Sequence, residues 1–108
     1  MAFNPVVTQY DENGVPVIGY RNAAIAAGAS TTVVKTTKGR VAQVVVTSLG
    51  TTGGTVTIYD NTAGSGTKLL VIPEAQPIGT VYKVDMPATI GITVVNAANA
   101  PALTVSFS

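Results

Sequence analysis

The stretch Gly39–Leu70 reads GRVAQVVVTSLGTTGGTVTIYDNTAGSGTKLL: three β-patterned runs separated by two turns rich in Gly, Thr, Ser and Asn. In Thr55–Asp60, Val56 and Ile58 fall on one face while Thr55, Thr57 and Tyr59 fall on the other. This period of two marks a strand with one buried face. The preceding run Arg40–Ser48 is more apolar, with Val41, Val44, Val45 and Val46, as expected of a strand covered on both sides or lying centrally in a sandwich. The turns Gly50–Gly54 and Asn61–Gly66 supply residues that tolerate left-handed backbone, so they close strands. No residue in the stretch has the arrangement of a catalytic group.

The same grammar extends outward. Candidate strands are Thr31–Thr36, Arg40–Ser48, Thr55–Asp60, Lys68–Ile72, Thr80–Asp85, Thr89–Asn96 and Leu103–Phe107, with Pro73, Pro77 and Pro87 at their ends. Starts spaced about 8 to 12 residues apart, without intervening helices, favour a sandwich or barrel over a βαβ fold. Composition agrees: 17 Val, 7 Ile and 16 Thr stand against 4 Leu in 108 residues, and β-branched side chains suit a pleated surface better than a helix. The expected fold is all-β, an antiparallel two-sheet sandwich of jelly-roll-like type. Its length suits one core, which buries roughly two thirds of the surface of the unfolded chain.

The first residues differ from the rest. Val6–Tyr10 and Val15–Tyr20 flank Asp11-Glu12-Asn13-Gly14, and Asn-Gly between apolar runs signals a β-hairpin. Pro5 and Pro16 remove ladder donors, which confines these runs to edge strands or an extended arm. The chain therefore divides into an N-terminal extended or hairpin arm, residues 1–22, and a β-sandwich domain, residues 23–108. Ala23–Ala29 has helix-favouring composition but is short and reaches Gly28, so it reads as a connector or brief strand.

Charged residues make up 10% of the chain, with a net charge of +1, against about 25% in ordinary soluble domains. A surface of Thr, Ser, Asn, Gly and Ala offers little electrostatic opposition to self-association or docking. The six basic residues are scattered, and the trio Lys35, Lys38 and Arg40 reads as a solvated hairpin end rather than a nucleic-acid patch. No nucleic-acid partner is expected. Neither is a membrane, since no apolar run approaches the ~20 residues of a span, and the N-terminus lacks the pattern of a signal peptide.

With neither His nor Cys in the chain, the commonest general base, soft metal ligands and thiol nucleophile are missing. Only Asp11, Glu12, Asp60, Glu74 and Asp85 remain for acid–base work, and their spacing gives no reason to pair any two of them across a cleft. Asp60 and Asn61 contain oxygen ligands of the kind calcium accepts, but they do not match a spaced acidic loop and read better as a turn cap. Gly64-Ser65-Gly66-Thr67-Lys68 lacks the Gly-Lys-Ser/Thr order of a phosphate loop and precedes a strand. No enzyme activity, metal or cofactor is expected. Tyr59 and Tyr82 suit either a sheet rim or a sugar-stacking platform, the rim being favoured.

The segments TTVVKTTKGRVAQVVVTSLGTTGGTVTIYDNTAGSGTKLLVIP and GTVYKVDMPATIGITVVNAANAPALTVSFS, spanning Thr31–Ser108, resemble small virion proteins of tailed bacteriophages. The resemblance implies a head decoration (cement) protein, commonly a homotrimer, made in the host cytoplasm and bound to the major capsid protein on the outer surface of the virion. On that reading the arm seats on the capsid or a neighbouring subunit through Val6, Val7, Tyr10, Val15, Val17, Ile18 and Tyr20. A β-rich tail or head-fibre module that binds host surface carbohydrate is the alternative, and a bacterial carbohydrate-binding sandwich a third.

Overall fold

The structure, a computed structural model, describes residues 9–10, 16–17 and 21–108. The described residues form ten strands and no helix: β1 (Gln9–Tyr10), β2 (Pro16–Val17), β3 (Arg21–Ile25), β4 (Ser30–Lys35), β5 (Gly39–Val46), β6 (Val56–Asp60), β7 (Thr67–Ile72), β8 (Val81–Ala88), β9 (Ile92–Asn96) and β10 (Leu103–Phe107). Two antiparallel four-stranded sheets, ordered β3-β10-β5-β8 and β4-β9-β6-β7, pack face to face, while β1 and β2 pair in a sheet of their own.

Pairing in the sandwich is nested: β3 with β10, β4 with β9, β5 with β8 and β6 with β7. This is the connectivity of one long hairpin rolled into two sheets, and it fits the jelly-roll-like expectation. It also sorts the connections by end. The β3–β4, β5–β6, β7–β8 and β9–β10 connections lie at one end; the β4–β5, β6–β7 and β8–β9 turns lie at the other, beside the start of β3.

The core comes from alternation. Val56 and Ile58 of β6 are fully buried and Thr57 and Tyr59 half-buried outside, as the sequence pattern requires. Ile25, Val41, Val44, Leu103, Val105 and Phe107 from one sheet meet Val56, Ile58, Ile72, Ile92 and Val94 from the other. Each such side chain contributes about 1.5–3 kcal/mol of burial. The apolar run of β5 is explained by position and a bulge. The strand lies between β10 and β8, and its register skips Ala42 against β10, so Val41 and Val44 both face inward while Gln43 stays exposed.

Three sequence expectations are adjusted. Of the two readings of Ala23–Ala29, connector or brief strand, the strand holds for its first three residues, which complete the edge strand Arg21–Ile25 paired with β10. Burial of Ile25 and the ladder to β10 override the helix preference of Ala. Arg21 and Asn22, placed by sequence in the arm, begin this strand, opposite Phe107 and Ser106. The stretch Thr80–Asn96 divides differently as well, with β8 running through Pro87 to Ala88 and β9 starting at Ile92. A proline is accommodated there because β8 is an edge strand.

The Gly-rich β5–β6 connection uses its glycines for two purposes. Gly53 adopts φ +82°, whereas a Cβ on Gly54 would collide with the Asn99 carbonyl. This close approach joins the β5–β6 and β9–β10 connections, with Thr51 N–H donating to Asn99 O at 3.1 Å and Ala97 N–H to Thr55 O at 3.0 Å.

Candidate functional site

Of the arm residues singled out by sequence, Val6, Val7, Val15, Ile18 and Tyr20 lie outside the described residues. Tyr10 and Val17 fall in β1 and β2, where Tyr10 stands opposite Pro16 and Gln9 opposite Val17. Among the described residues these two strands pair only with each other.

Each carboxylate in the described residues has a structural partner. Asp60, at the end of β6, accepts from Thr89 N–H (2.9 Å), Thr89 Oγ1 (2.9 Å), Ile90 N–H (2.8 Å) and Gly91 N–H (3.4 Å). Its carboxylate ties the β8–β9 turn to the opposite sheet. The backbone N–H groups of Thr89 and Ile90 stabilise the charged form and lower its pKa from 3.8 to about 2, against a smaller opposing effect of burial. Asn61 closes its own turn, accepting from Thr62 N–H at 2.8 Å and donating Nδ2 to Ser65 O at 2.8 Å. Glu74 accepts from Gly53 N–H, and Asp85 pairs with Arg40 Nε at 2.8 Å. Among the described residues no three His, Cys, Asp or Glu converge to hold a metal ion.

The tyrosines are not brought together. Tyr59 sits on the outer face of β6, whereas Tyr82 packs against the core from β8 and donates its hydroxyl to Gln76 Oε1 at 2.9 Å. Burial raises the Tyr82 pKa above its ordinary value. A single aromatic platform made of both is therefore absent.

What the fold does gather is positive charge. Arg21 begins β3, Lys35 ends β4, Lys38 lies in the β4–β5 turn, and Arg40 and Lys68 are the second residues of β5 and β7; the strand directions place all five at one end. Lys83, opposite Gln43, is mid-strand. Their sequence spacing conceals this grouping, because consecutive strands run in opposite directions and return to the same end only every second connection. The signal was positional: each of the five sits beside a strand terminus.

Two side-chain carboxylates share that end with the last residue, Ser108, which lines it beside Arg40. Asp60 is occupied by N–H donors, and Asp85 is occupied by Arg40, whose Nη2 also donates to the Asp85 carbonyl at 3.0 Å. That double contact clamps a β8 bulge in which Asp85 has φ +48°. No carboxylate of the described residues lies within ion-pair distance of Lys35 or Lys38. Between the β4–β5 turn and the end of β8 is an open, mainly apolar groove of about 360 Å³, lined by Lys38, Gly39, Arg40, Pro87, Ala88, Thr89 and Ser108. Exposed Met86 and Ile90 flank this segment in sequence.

The geometry offers a binding surface: an apolar groove with a cationic rim, suited to an acidic, partly apolar protein segment. Other large exposed apolar side chains are dispersed, with Val33 on β4, Val71 on β7, Val81 on β8, and Leu49 and Ile78 in connections at the opposite end. Comparison of the chain with protein-family models, with curated proteins and with solved structures returns no match.

Proposed function

We propose that this chain is a structural component of a tailed-phage virion, a decoration (cement) protein that binds the major capsid protein on the outer surface of the head as a homotrimer. Compact β-domains seated where capsid subunits meet oppose the outward force of packaged DNA through contacts alone, and no chemical step is required of them. The observation that carries the reading is the combination of a weakly charged two-sheet sandwich with a β1–β2 pair that, among the described residues, joins neither sheet. Such an arm provides main-chain donors and acceptors to a partner's sheet edge, with Val6, Val7, Tyr10, Val15, Val17, Ile18 and Tyr20 supplying apolar contact.

The test is binding to purified undecorated heads, with copy number measured per particle. The intact chain is expected to bind in hundreds of copies, and a variant lacking residues 1–20 to remain folded and lose binding. The truncation stops before Arg21 because Arg21 and Asn22 pair with Phe107 and Ser106. Binding undiminished by the truncation rejects the arm, and a label found at the tail in few copies replaces the reading with that of a tail or fibre module.

A further inference from the structure

Charge is segregated along this chain. Residues 1–20 carry Asp11 and Glu12 and no Lys or Arg, whereas residues 21–108 carry all six basic residues and three acids. Of those three acids, Asp60 is held by backbone N–H groups, Asp85 by Arg40, and Glu74 lies in the β7–β8 connection at the opposite end. Lys35 and Lys38 are left without a carboxylate at the basic end among the described residues. The chain's two remaining side-chain carboxylates, Asp11 and Glu12, are therefore in the arm.

The arm also needs a surface. A two-stranded hairpin is marginally stable in water by itself, and β1–β2 pairs only with itself among the described strands. The groove beside Lys38 and Arg40 offers apolar walls in Pro87 and Ala88 under a cationic rim. An apolar, acidic segment matches it in both respects, and residues 5–18, PVVTQYDENGVPVI, are the segment of this chain with that character.

We infer that the basic end of the sandwich is the docking site for the N-terminal arm of a second copy, with Asp11 and Glu12 of one chain facing Lys35 and Lys38 of the next. The contact is heterologous, arm to end, so it closes into a ring or continues as a chain rather than forming a face-to-face pair. It deepens the neighbouring-subunit contact of the proposed function, yet it requires no capsid. The two ideas therefore fail separately.

The experiment uses the full-length chain in sedimentation at about 1 to 100 μM. In about 50 mM salt the wild-type chain is expected to form a species larger than a monomer, and about 500 mM salt should weaken it by shortening the Debye length. The Lys35→Glu/Lys38→Glu and Asp11→Lys/Glu12→Lys variants should each raise the dissociation concentration about tenfold or more, through lost attraction and new repulsion. Mixing the two variants should restore association, since each then supplies the surface the other needs. Lys38→Glu alone, at an exposed turn position, guards against misfolding of the double variant, and far-ultraviolet circular dichroism checks the sheet content of each. A wild-type chain that stays monomeric to about 100 μM, whether its arm docks on its own sandwich or on another protein, overturns the inference. So does association that the reversals leave intact, or a mixture that fails to associate. Head binding by a strictly monomeric chain would preserve the proposed function while rejecting this contact.

Discussion

Replacing Ile58 with alanine tests the alternation on which the fold rests. Ile58 is fully buried at the centre of β6, opposite Leu70 on β7 and Val94 on β9. The substitution removes three carbons, worth about 0.8 kcal/mol each in transfer, or roughly 2.4 kcal/mol in all. The walls belong to two hydrogen-bonded neighbours and the facing sheet, so they collapse only partly. A residual cavity of about 50 Å³ at ~24 cal/mol per Å³ adds about 1.2 kcal/mol. The expected loss is thus about 3.5 kcal/mol, a large fraction of the roughly 5–15 kcal/mol that stabilises a domain. Thr57→Val is the matched control, because Thr57 is on the outer face between Val95 and Val71 and keeps its β-branched shape; its effect should stay within about 0.5 kcal/mol. Urea unfolding followed by far-ultraviolet circular dichroism, at high salt and low concentration to suppress association, reads both. With a slope near 1.5 kcal/mol/M, Ile58→Ala should lower the midpoint by about 2 M. A loss below about 1.5 kcal/mol for Ile58→Ala, or an equal loss for Thr57→Val, would refute the assignment of inner and outer faces.

Acid should reach the fold through Asp60. Its folded-state pKa lies below its ordinary value, at about 2 against 3.8, so its stabilising contribution is complete above the unfolded value and lost as pH falls from about 3.8 through about 2. Urea midpoints measured from pH 6 to pH 2 should decline across that window, whereas Asp60→Asn should be less stable near neutrality and flatter across the same window; an unchanged decline would assign the acid sensitivity elsewhere. At the β8 bulge, Asp85→Gly removes an exposed ion pair worth about 0–1 kcal/mol but relieves a left-handed backbone costing a similar amount. It should leave the thermal midpoint nearly unchanged, while Asp85→Val, which loses the pair and keeps φ +48°, should cost about 1–2 kcal/mol; equal midpoints for the two variants would show that the bulge backbone is unstrained.

Strand existence was legible in the sequence because Val, Ile and Thr alternate with turn residues, and the seven expected runs each overlap an observed strand. β3 was obscured for a physical reason. Its residues Arg21–Ile25 include two alanines, which carry little local β preference, and its identity comes from pairing with β10, about eighty positions later in the chain. The β8–β9 boundary was displaced by Pro87, which reads locally as a terminator. It is tolerated inside the ladder, one residue before the end of β8, because β8 has one free edge, a fact of sheet order rather than of local sequence. Ala42 presents the same difficulty, since a bulge shows in sequence as nothing more than a broken alternation within an apolar run.

The basic end depends on topology even more strongly. Lys35, Lys38 and Arg40 looked like an isolated hairpin tip because Arg21 and Lys68 are separated from them by complete strands. Rolling a hairpin into two sheets reverses every successive strand, so cations in the first two residues of β3, β5 or β7, or at the last of β4, arrive at the same end. Moving one of them by a strand's length would place it at the other end without altering net charge or composition. Net charge therefore says little about this surface, while the positions of five cations relative to strand termini say a good deal. The arm follows the same geometry: it joins the sandwich at Arg21, on the basic end, and carries acids without bases. An arm of like sign would be repelled from its own attachment end and from that of every neighbour. The observed signs make that end attractive, so association through it should weaken with salt where a purely apolar contact would hold.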